Sequence, residues 1–309
     1  MMKYFNHILI FTVIMTVCFS FASCKSDDEM TFKRPIIEAP ETALKIATYN
    51  IKAESASSLT WGKRLDAIEK IFTKCNFDIV GSQEPFLVQI KAILEKIGDE
   101  YAYTGTCTTD DGKGLYDPIF YRKDRLQLIK SGVFWLSESP DISAPGFGSS
   151  EPRTCCWGKF KDQKTGKEFY CFNTHFEHTS AIGEAAALIV RKKSSELVLK
   201  KIKEIANGFP VVLMGDFNCN EDSEPYKMII DNTILKDALR TVEVPINSLY
   251  PSLNSYNPVS QLETNGLHID HLFFTYENSK AYTWKLLTDS YEGQYGSDHF
   301  PLLMEWNIE

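Results

Sequence analysis

The chain has 309 residues, 43% of them hydrophobic, and a formal net charge of −8. No self-similarity at a period of 20–50 residues is present, which excludes a solenoid. The acidic balance argues against a surface built for sequence-independent nucleic-acid binding, which needs Lys and Arg to neutralise phosphates.

The N-terminus reads as an export signal. Lys3 supplies a small positive region, residues 8–19 form an almost unbroken apolar run, and Phe21-Ala22-Ser23 leads into Cys24. The run is shorter than the roughly 18–20 residues needed to span a bilayer, so residues 1–24 are expected to be a signal peptide rather than a transmembrane helix. Small residues before a Cys resemble a bacterial lipobox, although Phe21 stands where Leu is commoner. By that resemblance Cys24 is the lipidated first residue of an exported chain, anchored to the outer membrane or cell surface. Residues 25–42 are polar, carry Pro35 and Pro40, and read as a flexible tether beginning Lys25-Ser26-Asp27-Asp28-Glu29. Lys3 is the only charged residue of the first 24, so its loss takes the net charge from −8 to −9. Residues 43–309 suffice for one large α/β domain. Six cysteines lie in that part (Cys75, Cys107, Cys155, Cys156, Cys171 and Cys219) with no CxxC spacing, which disfavours zinc. Most are expected as small buried residues on or near strands, and their pairing is left open.

Strand and helix signals then alternate. Residues 45–51 are short and β-prone. Trp61, Leu65, Ile68 and Phe72 recur at helical spacing. Residues 77–81 read as a buried strand, and Pro85 suits the first turn of a helix with Leu87, Ile90, Leu94 and Ile97 on one face. The middle is strand-rich, over residues 118–121, 126–136, 155–160 and 168–174, with Lys164-Thr165-Gly166 as a hairpin turn. A long helix is expected over residues 185–206, closed by Asn207-Gly208. A buried strand over residues 210–214 runs into Gly215-Asp216. Residues 269–275, 282–288 and 302–306 supply the last strands. Residues 141–152 and 241–265 read as long surface loops of the kind that shape substrate access. Such a mixture predicts mixed sheets with helices on their outer faces.

The polar residues of interest lie at the ends of apolar strands: Asn50, Glu84, Asp216, Asn218, Asp270, Asp298 and His299. One carboxylate beside a core strand is ordinarily a cap or a loop anchor. Several together, with amides and histidines, are costly to desolvate unless they bind a cation. Oxygen donors favour Mg²⁺ or Mn²⁺ over Zn²⁺.

Six motifs occur in one order: Ala47-Thr48-Tyr49-Asn50-Ile51, Gly81-Ser82-Gln83-Glu84, Asn173-Thr174-His175, Gly215-Asp216-Phe217-Asn218, Ile269-Asp270-His271 and Ser297-Asp298-His299. The series resembles the endonuclease/exonuclease/phosphatase family and covers residues 44–308. The resemblance implies a DNase I-like four-layer α/β sandwich, two mixed β-sheets face to face with helices outside. It implies a Mg²⁺-dependent phosphoesterase, for a diester or a monoester, in which water attacks phosphorus. Glu84 would be the principal metal ligand, with Asn50 beside it and Asp298 completing the metal environment. Asp216 would orient or deprotonate the water, and Asn218 would hold the phosphoryl group or a metal-bound water. His299 would polarise a phosphate oxygen with Asp270 on its other ring nitrogen, and His175 would donate to the phosphate or the leaving oxygen. Arg153 and His178 are further candidates for the substrate phosphate. Their ordinary alternatives are a surface salt bridge and a structural histidine. Two other readings stand beside this one: a surface nuclease scavenging nucleic acid, disfavoured by the charge, and a catalytically idle module binding a phosphorylated ligand.

Overall fold

Strands with large apolar side chains on both faces have to be covered on both. The computed structural model describes residues 37–231 and 234–309, and the elements named below are those of the described residues. The signal peptide expected over residues 1–24, Cys24 and the tether as far as residue 36 lie outside them. The strands are β1 (Leu44–Asn50), β2 (Ile79–Gln83), β3 (Tyr101–Thr104), β4 (Ile119–Arg122), β5 (Leu126–Trp135) and β6 (Thr154–Asp162). They continue with β7 (Glu168–His175), β8 (Val211–Asp216), β9 (Leu235–Asp237), β10 (Asp270–Thr275), β11 (Ser279–Leu286) and β12 (Leu302–Ile308). They form two six-stranded sheets, ordered β11-β12-β1-β2-β4-β3 and β5-β6-β7-β8-β10-β9. Both are mixed: β1 pairs parallel with β2 and β7 with β8, and the other pairings are antiparallel.

Period-two alternation divides the apolar residues among three packed layers. Leu44 and Ile46 of β1 face Phe169 and Cys171 of β7, Val212 and Met214 of β8, and Leu272 and Phe274 of β10 between the sheets. Ala47, Tyr49 and Ile51 face the other way, onto Ile68, Ile71 and Phe72 of helix α1 (Trp61–Cys75) and Ile90 and Ile93 of α2 (Leu87–Ile97). After a single turn, α3 (Thr179–Ile182), the long helix α4 (Glu184–Ala206) brings Val198 and Ile202 onto Phe172 and Leu213. Tyr226 and Ile229 of α5 (Glu224–Ile230) join them. The result is the four-layer α/β sandwich that the motif series implied. Each such side chain, once fully buried, contributes about 1.5–3 kcal/mol.

Local chemistry sets the boundaries. Asn76 and Asn207, with φ of 51° and 44°, end α1 and α4 in the left-handed conformation that closes helices. Pro85 falls one residue before the N-cap Phe86, not within the first turn of α2. Glu41 and Thr42, at the end of the expected tether, are already bonded to the domain: Thr42 Oγ1 donates to Asn307 Oδ1 at 2.8 Å, and Lys164 Nζ to the Glu41 carbonyl at 3.0 Å. Four of the elements named here lack any reading in the sequence: β3, α3, α5 and β9. Each is seven residues or shorter and so carries little periodicity.

At one end the two sheets are joined by polar groups instead of apolar ones. A Cβ on Gly81 would lie 2.6 Å from Asn173 Oδ1, so only glycine lets that amide cross between the sheets. Asn173 Nδ2 donates to the Ser82 and Pro118 carbonyls at 2.8 and 3.0 Å, and Gln83 Nε2 donates to Asn173 Oδ1 at 2.6 Å. These bonds tie β2 to β7 where the strands end.

Candidate active site

The parity that buries Val212 and Met214 between the sheets carries on to Asp216. In the same way Phe169 and Cys171 lead to His175, Leu272 follows Asp270, and Ile46 leads to Asn50. Register places His175 opposite Asp216 and Asp216 opposite Asp270, so three functional side chains occupy one rung across β7, β8 and β10. The polar end of the sandwich is therefore the apolar stripe continued with different residues.

Glu84 departs from that parity. Its φ of 70° is a left-handed conformation uncommon for a residue with a Cβ, and Lys52 and Asn218 close by are also positive, at 57° and 48°. The turn points the Glu84 carboxylate at Asn50, whose Nδ2 donates to Glu84 Oε1 and to Asp216 Oδ2, both at 2.9 Å. Ala53 N donates to Glu84 Oε2 at 3.2 Å. A Cβ on Gly215 would lie 2.1 Å from the Thr174 carbonyl oxygen, which requires glycine ahead of Asp216.

Asp216 is the hub. Its Oδ1 accepts from Asn218 N at 2.9 Å. Its Oδ2, already bonded to Asn50, lies 3.5 Å from His175 Nε2 and 3.8 Å from His299 Nε2. Asp270 Oδ2 is 2.9 Å from His299 Nδ1, and the backbone N–H groups of Ile269 and Asp270 donate to Ser252 Oγ at 2.9 and 3.2 Å. Lys52 Nζ is 3.7 Å from Glu84 Oε2 and 3.4 Å from Asp298 Oδ2.

Charge separates these groups. Burial raises the Glu84 carboxyl, yet His175, Lys52, the Asn50 bond and His299 outweigh it and hold it at about 2. Burial lowers His299, but Asp270, then Asp216 and Asp298, push it up to about 10, so it is an imidazolium at neutral pH. His175 goes the other way, to about 4, because burial and the Arg153 charge outweigh Asp216 and Glu84. With His175 uncharged at neutral pH, the holding of Glu84 there falls to Lys52, His299 and Asn50. Burial and the charge of Asp270 raise the Asp216 carboxyl.

Glu84, His175 and Asp216 present possible ligand atoms within 4.8 Å of one another, as do Asp216, Asp270 and His299. Asn50 and Asp298, also expected at the metal, stand beside these groups. Asn50 Oδ1 accepts from Lys52 N at 3.0 Å, and Asp298 faces Lys52. Among the described residues Lys52 is the sole Lys or Arg ion-paired with Glu84, Asp216, Asp270 or Asp298, and Asp270 Oδ1 is buried with no partner. So many carboxylate oxygens with so little cationic charge suit a hard divalent ion.

Above the rung opens a cavity of about 830 Å³, lined by every residue expected in the site except Asn50 and Asp270, which lie behind it. Both long loops contribute to its wall: Glu151 and Pro152 from one, Leu253 and Ser255 from the other. Arg153 is buried, its Nη2 3.2 Å from Glu177 Oε1 and its Nη1 3.3 Å from His175 Nδ1. His178 accepts from Ser180 N at 3.1 Å and caps α3. Asn218 Nδ2 is 3.0 Å from His175 Nε2 and 3.1 Å from the Phe176 carbonyl oxygen. Cys155, Cys156, Cys171 and Cys219 are buried, Cys75 and Cys107 half-buried, and all six are unpaired.

The sequence reading omitted Lys52, Ser252 and the segment 108–115 that forms one side of the mouth. Lys52 alone had a usable signal, as the cation next to the first motif.

A family described as the endonuclease/exonuclease/phosphatase family matches residues 47–299. Among solved structures, the chain is similar to a mannosyl-6-phosphatase from Bacteroides thetaiotaomicron, with 34% identity and a TM-score of 0.77 over 86% of this chain and 100% of that one. It is similar to an endonuclease/exonuclease/phosphatase family protein of the same organism, with 33% identity and a TM-score of 0.78 over 87% and 98%. A probable RNA exonuclease of Saccharomyces cerevisiae is 27% identical over 226 residues, 64% of this chain and 42% of that protein. The chain spans less than half the length of two of the curated relatives it matches, 32% and 42%. The ordered motifs, the paired six-stranded sheets and these matches agree: the chain belongs to the endonuclease/exonuclease/phosphatase family.

Proposed function

We propose that this protein is a Mg²⁺-dependent phosphoesterase that removes phosphate from a monoester of a neutral, polar alcohol such as a sugar. The observation that carries the substrate is the state of the cavity's cations. Lys52 faces Glu84 and Asp298, Lys113 faces Asp111 at 4.0 Å, and Arg153 faces the buried Glu177. None is left to neutralise a second phosphate, and Asp111 and Glu151 at the wall repel one. Phe86 is the single Phe, Tyr or Trp of the lining, which offers successive bases no row of large aromatic rings to stack on. The relative named as a mannosyl-6-phosphatase, at 34% identity, supports the same choice.

In the reaction, Asp216 holds and deprotonates the attacking water, a task helped by the burial that raises its carboxyl. His299, an imidazolium backed by Asp270, donates through Nε2 to a phosphoryl oxygen as negative charge develops. His175 Nε2 and Asn218 Nδ2 lie on the other side of Asp216 and face the oxygens of the same group. Glu84 and Asp216, with Asn50 and Asp298 beside them, would hold a divalent ion. That ion supplies Lewis-acid polarisation of phosphoryl oxygens and neutralises their charge. We further propose that the chain acts outside the cytoplasm, anchored through Cys24. The support is its N-terminal pattern, and labelled-palmitate incorporation lost in Cys24→Ala is the check.

Phosphate release should be compared with Mg²⁺ present across hexose 6-phosphates, a nitrophenyl monoester, a bis(nitrophenyl) diester, sphingomyelin and plasmid DNA. Sugar monoesters are expected to turn over fastest. Faster cleavage of the nucleic acid would overturn the substrate in favour of a scavenging nuclease. Silence on every substrate, with phosphate still bound, would favour an idle binding module.

A further inference from the structure

The second long loop lines the cavity and also works behind it. From Ser252 to Ser255 the side chains alternate: Leu253 and Ser255 line the cavity, while Ser252 and Asn254 are buried behind them. Leu253 forms an antiparallel bridge with His299. Two backbone hydrogen bonds straddle that histidine, Phe300 N donating to the Ser252 carbonyl at 2.8 Å and Asn254 N to the Asp298 carbonyl at 2.6 Å. Ser252 reaches a second strand as well, since its Oγ accepts from Ile269 N at 2.9 Å and from Asp270 N at 3.2 Å. One residue thus holds both halves of the Asp270–His299 pair, one through its side chain and the other through its carbonyl.

The Asp270 carboxylate depends on this support. Its Oδ2 is 2.9 Å from His299 Nδ1, its Oδ1 is buried with no partner, and among the described residues no other side chain bonds it. Its aim is therefore set by the backbone of residue 270. On one edge β8 fixes that backbone, with Asp270 opposite Asp216 and Phe217 N donating to the Ile269 carbonyl at 2.8 Å. On the other edge β9 pairs only with Phe273–Thr275, so the start of β10 has no strand from β9 to accept its N–H groups. The Ser252 hydroxyl accepts two of them instead. Without that oxygen the orphaned N–H groups would seek another acceptor, because a buried unpaired N–H is costly. Asp side chains readily accept from their own and neighbouring backbone N–H groups, and Asp270 has an oxygen to spare. A carboxylate drawn to its own backbone lets go of His299.

We propose that Ser252 is a positioning residue that keeps the Asp270 carboxylate on His299 Nδ1. Ser252 is fully buried and is not among the residues lining the cavity, so it acts through the pair and not on the substrate. The imidazolium that Asp270 backs is the donor to the phosphoryl oxygen, so slack in the pair slows the chemical step and leaves substrate binding alone. The inference rests on the phosphoesterase reading for its kinetics, but its first measurement needs no substrate.

That measurement is the NMR resonance of the His299 Nδ1 proton, which a hydrogen bond to a buried carboxylate moves downfield and protects from exchange. His299→Gln assigns it by its loss. Ser252→Ala should move the resonance upfield or broaden it away, and Ser252→Thr, which keeps the hydroxyl, should restore it. An unchanged resonance in Ser252→Ala would overturn the proposal. The second measurement is a double-mutant cycle on whichever phosphoester is turned over. In the wild type Ser252→Ala should lower kcat about tenfold at little-changed KM. Made in Asp270→Asn it should cost less than about twofold, because the pair it supports is already broken. The same tenfold loss in both backgrounds, or a lower melting temperature with kcat intact, would reduce Ser252 to a structural brace and sink the proposal. If Ser252→Ala does not fold, Ser252→Cys, whose sulfur accepts weakly, carries the same comparisons. If no substrate is turned over, the phosphoesterase reading fails and the resonance alone decides the role of Ser252.

Discussion

Two histidines share one carboxylate and differ in everything behind them. His299 is backed by Asp270 and is pushed up to about 10; His175 is backed by Arg153 and falls to about 4. Both are buried, so burial alone would discharge both. The sign of the neighbour decides. One side of the cavity thus carries an imidazolium and the other a neutral imidazole, with Asp216 Oδ2 between them at 3.8 and 3.5 Å. A site built this way can neutralise developing charge from one direction without repelling its own metal ion from both.

The largest effect should come from beneath both histidines. Glu84→Gln, or chelation of the wild type, is expected to lower turnover by about 10³-fold or more, since a metal contributes several kcal/mol to such a reaction. Melting curves with chelator present should fall only modestly, because the Gln carbonyl can still accept from Asn50 Nδ2 while its NH2 gives up the bond from Ala53 N. Next, His299→Gln should cost roughly 10³–10⁴-fold and His175→Gln roughly 10²-fold, the charged ring contributing more than the neutral one. Equal losses in kcat would erase the asymmetry.

A smaller effect tests the charge on His299 directly. Its folded value of about 10 exceeds the unfolded value of about 6.5, so its protonation stabilises the fold fully below pH ~6.5 and that contribution is lost as pH rises toward 10. In chelator, Asp270→Asn should melt lower than wild type near pH 6 and approach it by pH 10. Parallel curves would mean that His299 is not the charged partner.

The His175 side has the opposite sign. Asp117 lies behind Arg153, bonded to Thr154 Oγ1 at 2.6 Å, and burial lifts its carboxyl to about 7 despite Thr154 and Arg153. A carboxyl raised in the folded state costs stability as pH climbs from ~4 to ~7. Asp117→Asn should therefore match wild type near pH 4 and melt a few degrees higher at pH 8. Scanning calorimetry at the two values decides it. The smallest change is expected from His178→Ala. That ring is at the rim and bonded to Ser180, and its loss should alter KM by less than about tenfold.

The four-layer fold was legible because each core strand is apolar on both faces, and a sheet that is apolar on both faces has to be sandwiched. Much of the site was legible for a related reason. Asn50, His175, Asp216 and Asp270 continue the inward-facing parity of their strands, so a period of two already aims them at one gap. The short elements β3, α5 and β9 were not legible, since tertiary packing rather than local pattern holds four, seven and three residues in place.

Glu84 marks the boundary between the two kinds of information. Its position after β2 was plain in the sequence, but the φ of 70° that turns its carboxylate out of parity toward Asn50 was not. Arg153 lies further across that boundary. As a residue ahead of a core strand it suited a phosphate, and the packing of β6 beside β7 sets it at the cavity wall against His175 and Glu177. Sequence by itself determined which chemical groups are present, which strand ends carry them and which face they point to, because side-chain parity is a local property of the backbone. Tertiary structure alone decided which charge stands behind each histidine, because a pKa depends on neighbours brought together from distant parts of the chain.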